Sequence, residues 1–165
     1  DWVETQARSA LLVAGTTIVY GLLLGIADRL GRHANRIGEI GWQAALVIGI
    51  AQALAIVPGT SRSGITITAA LLLGLTRPAA ARFSFLMGIP VFVLAGAKQG
   101  FDLFETGLPA AQLLPMAIGL VGSAVVGYAA IAWLLSWLRS RSLTVFMVYR
   151  LLLGAVILAT VFLRG

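Results

Sequence analysis

Four hydroxyls and one guanidinium fall within seven residues of this chain. They are Thr60, Ser61, Arg62, Ser63 and Thr66, in the run Pro58-Gly59-Thr60-Ser61-Arg62-Ser63-Gly64-Ile65-Thr66. Residues of these types at this spacing can grip phosphate. Pro58 ends one helix, and Gly59 allows a sharp turn. The next helix is expected to start around 61–63. Its first N–H groups have no helical acceptors, and its dipole is positive there. Arg62 adds a planar fork that can take two phosphate oxygens. Ser61 and Ser63 can either cap the helix or donate to the anion. Thr66 lies one turn after Arg62 on the same helix face. Gln52, six residues before Pro58, either faces the same cavity or hydrogen-bonds another helix.

The surroundings sharpen this reading. Hydrophobic residues make up 59% of the 165 residues and charged residues only 11%. A water-soluble globule of this size cannot bury so much apolar surface, so the solvent is a bilayer. This composition also excludes intrinsic disorder. With no Cys and one His, disulfides, Cys-ligated zinc and His-cluster metal sites are excluded. The net charge of +6 reflects basic loops, not nucleic-acid binding. A guanidinium near mid-membrane costs about 2.5–3.5 kcal/mol even on the lenient insertion scale. An anion is its natural partner. The bland alternative is that the hydroxyls only cap the helix while Arg62 snorkels to headgroups.

Those residues need helices to hold them at depth. The expected architecture is all-α, a single polytopic membrane domain over 1–165. Spans are expected at 10–27, 80–97, 112–138 and 143–163. The first is uncharged and about 27 Å long as a helix, close to the ~30 Å of a hydrocarbon core. Segment 40–75 is different. Two apolar arms flank the motif 58–66, and the second arm, 65–75, reaches only about 16 Å. A re-entrant helix-turn-helix fits, with its tip lining a cavity, since irregular backbone at membrane depth needs protein or water around it. Two spanning helices with an exposed loop are the alternative. In either case loops 28–39, 76–82 and 139–142 share one side. They hold Arg29, Arg32, Arg36, Arg77, Arg82, Arg139 and Arg141 against Arg8, Lys98 and Arg164 opposite, which puts the first side in the cytoplasm.

Smaller features complete the reading. Segment 98–107 is expected to be a loop, and the residues before Pro115 an interfacial stretch. Gly21 and Gly25, and the series Gly119, Gly122 and Gly127, suit close helix packing. Trp2, Trp42, Trp133 and Trp137 lie near span ends, as aromatic belts do. His33 reads as solvated. Arg150, about 10 Å into the last span, either snorkels, pairs with a carboxylate outside this chain, or binds a lipid phosphate. The acids Asp1, Glu4, Asp28, Glu39, Asp102 and Glu105 all fall in expected loops or termini, with no Glu-x-x-x-Glu pair. The chain thus offers phosphate grip without an evident base or metal site.

The motif at 58–66 resembles the P-G-x-S-R-S-x-x-T signature of the undecaprenyl-diphosphatase, or bacitracin-resistance, family. Supporting matches lie at Arg82-Phe83-Ser84-Phe85-Leu86-Met87-Gly88-Ile89-Pro90 and Tyr149-Arg150-Leu151-Leu152-Leu153-Gly154. The resemblance implies an inverted-repeat membrane fold with one re-entrant hairpin per repeat. It implies removal of the terminal phosphate of undecaprenyl diphosphate, which recycles the carrier lipid for peptidoglycan synthesis. Bacitracin resistance follows, because that drug sequesters the diphosphate. Localisation to the bacterial inner membrane follows too, and a homodimer is allowed. The outer-side orientation of the site is an expectation from the topology, since a re-entrant tip that enters from the cytoplasm can open to the outer side.

Carried over, Arg62, Ser61, Ser63 and Thr66 are expected to be catalytic, and Gly59, Thr60, Arg62 and Gln52 to bind substrate. A divalent cation, calcium or magnesium, is implied, with no ligand in this segment. The family's glutamate-rich first signature has no counterpart here. By resemblance this is the C-terminal three-fifths or so of a longer chain, inactive alone. A polyprenyl-phosphate flippase is the rival, because broken helices that aim N-termini at anions are transporter features as well.

Overall fold

The computed structural model describes residues 10–107 and 110–164. The described residues contain six α-helices: α1 (Ala10–Leu30), α2 (Trp42–Ala53), α3 (Arg62–Leu72), α4 (Arg77–Thr106), α5 (Ala110–Trp137) and α6 (Thr144–Arg164). Short 3-10 turns at Ile37–Glu39 and Leu54–Ile56 join them, and no strand occurs among the described residues. Among the described residues, four segments are long and apolar enough to cross a membrane: Ala10–Leu30, Arg77–Glu105, Gln112–Trp137 and Thr144–Val161. The protein is a multi-pass, all-helical membrane protein. Trp2, Arg8, Asp1 and Glu4 lie outside the described residues, as does the side chain of Arg164.

Several boundaries differ from expectation, each for a local reason. The segment 98–107 is helical through Thr106 and stops at Gly107, where φ is 72°. Lys98, Asp102 and Glu105 are all compatible with a helix, and nothing before Gly107 breaks it. The stretch ahead of Pro115 is likewise the first turn and a half of α5. There a proline forfeits only one bond near a helix end that already lacks partners. Asp28 is not a loop residue. It sits in the last turn of α1 and is 2% exposed.

Asp28 organises one face of the molecule. Its carboxylate accepts from Arg77 Nε at 2.5 Å and from the Leu143 amide at 3.0 Å. Arg77 Nη2 also reaches the Asp28 carbonyl. The His33 ring nitrogen Nε2 lies 2.8 Å from that carbonyl, so His33 caps the end of α1 instead of standing in solvent. The Ala34 and Asn35 amides donate to the Gly74 carbonyl and the Thr76 amide to the Asn35 carbonyl, stitching loop to loop. Segments 28–39, 76–82 and 139–142 therefore meet on one face. Asp28→Ala removes the acceptor from a buried amide and from a guanidinium that is one-third exposed. We expect a loss of about 3 kcal/mol, read as lower denaturant resistance in micelles.

The core lies above that face, where Leu24, Ile48, Leu71, Leu75, Leu138 and Leu143 pack together. α1 runs along α6 in the most extensive helix contact. A Cβ at Gly21 would press on Arg150, one at Gly25 on Met147, and one at Gly154 on Ile18. Small residues thus let these two helices approach closely. Gly119, Gly122 and Gly127 have nothing within 4 Å of a Cβ, and α5 meets the core and α6 only at its C-terminal end, where Trp137 packs edge-on against Phe146.

Candidate functional site

The two short arms form a hairpin whose half-buried tip packs against α1. α2 and its 3-10 extension end before Pro58, and α3 begins at Arg62 with Ser61 as N-cap. Ser61 Oγ accepts the Gly64 amide at 3.2 Å. Gly59 makes the turn with φ of 85°, and a Cβ there would strike Thr16 and the Val13 backbone. Two separate demands, conformation and space, therefore require glycine. Thr16 Oγ1 donates to the Pro58 carbonyl at 2.7 Å. Thr17, which receives the tip beside it, lies seven residues into α1, about 10 Å from its start and 20 Å from the opposite end. At its far end α3 closes with the Leu75 amide on the Ala70 carbonyl and the Gly74 amide on the Leu71 carbonyl. These two bonds form a Schellman stop at Gly74.

Arg150 fastens the tip from the other side. Its Nε donates to the Thr17 carbonyl at 3.2 Å and its Nη2 to the Gly59 carbonyl at 2.9 Å. It does not snorkel: among the described residues its partners are two backbone carbonyls. One guanidinium ties α6, α1 and the turn together. The sequence signal for this was a lone charge in an apolar span, coupled with the adjacent Thr16-Thr17 pair in another.

The motif's side chains divide between two directions. Ser61 and Ser63, with hydroxyls 3.3 Å apart, face a cavity of about 190 Å³ together with Arg150. Ile67, Phe85, Leu134 and Phe146 form its apolar wall. Arg62 is not among the lining residues. Its guanidinium carbon sits 4.7 Å from the centroid of the Phe92 ring, and a Cβ on Gly88 would collide with it. Arg62 Nη1 is buried and has no hydrogen-bond partner among the described residues. The same holds for Thr60 Oγ1 and Gln52 Oε1. Residues one apart on a helix point about 100° away from each other, which accounts for the divergence of Arg62 from its two serines. On α4, Ser84, Gly88 and Phe92 recur every four residues, a pattern that marks the face turned to the hairpin.

Thr66 is 1% exposed, and its hydroxyl is fully used. It shares a 2.7 Å hydrogen bond with Ser84 Oγ and reaches back to the Arg62 and Ser63 carbonyls. It pins α3 to α4 behind the motif. Thr66→Val should cost about 1–3 kcal/mol by orphaning the Ser84 hydroxyl, whereas adding Ser84→Ala should restore most of it. A double-mutant cycle on unfolding measures the difference.

Among the described residues no three His, Asp or Glu side chains gather to hold a metal ion. The described residues do not fit a divalent-cation site.

Comparison with known proteins now bears on this geometry. A family model described as bacitracin resistance protein BacA matches residues 1–156. The chain is 50% identical over 160 residues to a protein of Magnetococcus marinus named undecaprenyl-diphosphatase. The match covers 97% of this chain and 59% of that relative's length.

Proposed function

Given that this chain belongs to the bacitracin resistance protein BacA family, we propose that it serves in hydrolysis of the terminal phosphate from undecaprenyl diphosphate. The observation that carries the reading is the unpartnered Arg62 Nη1, beside a turn where Thr60 and Gln52 also hold buried, unsatisfied polar atoms. Buried polar groups find partners in native proteins, and a diphosphate supplies acceptors for the guanidinium and Thr60 hydroxyl.

Water attacks the terminal phosphorus and the bridging P–O bond breaks. The electron pair leaves on the lipid monophosphate, and the water's proton ends on phosphate or solvent. Arg62 and the first amides of α3 stabilise the added negative charge. Ser61 and Ser63 present hydroxyls to the same headgroup from the cavity side. The apolar cavity wall takes the first isoprenoid carbons. Thr66 acts behind them by fixing the pitch of α3 against α4. No step here runs through a metal. If calcium or magnesium takes part, its ligands are carboxylates other than those described.

The arginine-rich face lies in the cytoplasm of the inner membrane on this reading, and the hairpin is re-entrant from that side. Its tip then opens toward the outer side. The duplicated, inverted architecture and any homodimer belong to the same proposal. The relative is named for a diphosphatase, and no observation favours lipid transport. The test is phosphate release from undecaprenyl diphosphate by the full-length protein in detergent. Release that depends on Arg62 supports hydrolysis. Lipid movement between leaflets without release overturns it.

A further inference from the structure

A second concavity of about 550 Å³ lies on the loop face, away from the hairpin tip, and is lined by Arg36, Ile37, Thr76, Pro78, Arg82 and Arg139. Three different segments thus bring one arginine each to the same hollow. The only ion pair described on the chain is Arg77 with Asp28, so none of the three is neutralised by a carboxylate among the described residues. Glu39, the nearest acid in sequence, accepts the Arg36 amide at 2.6 Å. The volume is in the range of small-molecule sites, about 300–1,000 Å³. α4 begins at its rim, and Thr76 at the N-cap gives no side-chain cap, so the first amides of α4 add positive potential.

We propose that this hollow binds the phosphodiester headgroup of an anionic phospholipid. Two observations favour a lipid over a free anion. Arg82 is followed on one face of α4 by Leu86, Ile89 and Val93, at spacings of four, seven and eleven residues. These are 51%, 53% and 62% exposed, an apolar track leading away from the guanidinium. The hollow also sits at headgroup level. Trp133 and Trp137 stack 6.2 Å apart just before the turn that carries Arg139, as interfacial aromatics do. Basic pockets between helix ends are a recurrent way of holding anionic headgroups. The site is independent of the phosphate-gripping turn.

The experiment uses the full-length protein in neutral detergent, with thermal unfolding and native mass spectrometry as readouts. Dioleoyl phosphatidylglycerol should raise the apparent Tm by about 3–6 °C and remain bound as a discrete adduct. Dioleoyl phosphatidylcholine should do neither. The triple variant Arg36→Gln, Arg82→Gln, Arg139→Gln should lose at least half the shift and the adduct. Arg141→Gln, on the same face but outside the hollow, should keep both. If the triple variant does not fold, Arg82→Gln and Arg139→Gln singly carry the same comparison, since both side chains are exposed. An equal shift in parent and variants overturns the proposal. A shift reproduced by inorganic phosphate alone, and lost in the variants, assigns the hollow to the free anion and overturns the lipid reading.

Discussion

Arg62→Lys lowers phosphate release from undecaprenyl diphosphate by about 10²- to 10³-fold in the full-length protein, with little change in unfolding. That range is the cost of removing one preorganised donor from a site where negative charge develops. Lysine keeps the charge, so charge is not what is lost. The guanidinium lies over the Phe92 ring and against Gly88, which confine its planar fork. A lysine ammonium reaches the same region as a mobile point charge and cannot present two parallel N–H groups to two phosphate oxygens. Arg62→Ala should fall further. Gly88→Val provides an independent approach, because its side chain would displace the Arg62 guanidinium while leaving the motif's own sequence unchanged. It should lower kcat by at least tenfold. Initial rates of inorganic phosphate release read both effects. If Arg62→Lys retained a third or more of parental kcat/KM, the guanidinium would not be the phosphate grip.

Much of this architecture was legible because charge is expensive in lipid. Charged residues mark where helices leave the bilayer, and the short second arm after Pro58 could not span. The start of α3 was legible too, since Ser61 in front of a helical run is an N-cap signal. What composition could not reveal is where a charge or hydroxyl inside the apolar regions points. Asp28 looked like a loop acid because its partners, Arg77 and the Leu143 amide, are 49 and 115 residues away. Thr66 shared a helix face with Arg62, but the bond that decides its direction comes from Ser84 on another helix. The divergence of Arg62 from Ser61 and Ser63 follows from helix geometry, yet which neighbour each one meets is set by α4 and α6 packing on opposite sides. Local rules fix the turn, and long-range packing fixes its chemistry.

Arg150 shows the same principle at the scale of activity, and its replacement should have the second large effect. Arg150→Leu removes two hydrogen bonds, to the Thr17 and Gly59 carbonyls, from a position inside the last span. Bonds to a charged donor are worth about 1.5–3 kcal/mol each. The Gly59 carbonyl would keep only the long 3.4 Å bond from Thr17 Oγ1. Thr16 still holds Pro58, so the hairpin stays docked, but Gly59 loses its hold from the α6 side. A turn free to shift by a fraction of an ångström misplaces the α3 amides and Arg62 together. A loss of about 2–3 kcal/mol of transition-state stabilisation, or 30- to 150-fold in kcat, is expected. KM should move far less, because the apolar wall that takes the lipid is unchanged. Arg150→Lys should recover part of the rate, since an ammonium can still donate to one carbonyl. A purely structural role predicts another pattern, in which Leu and Lys lower stability alike and the surviving folded enzyme turns over at the parental rate. Measuring kcat per folded molecule, with unfolding followed in the same detergent, separates the two.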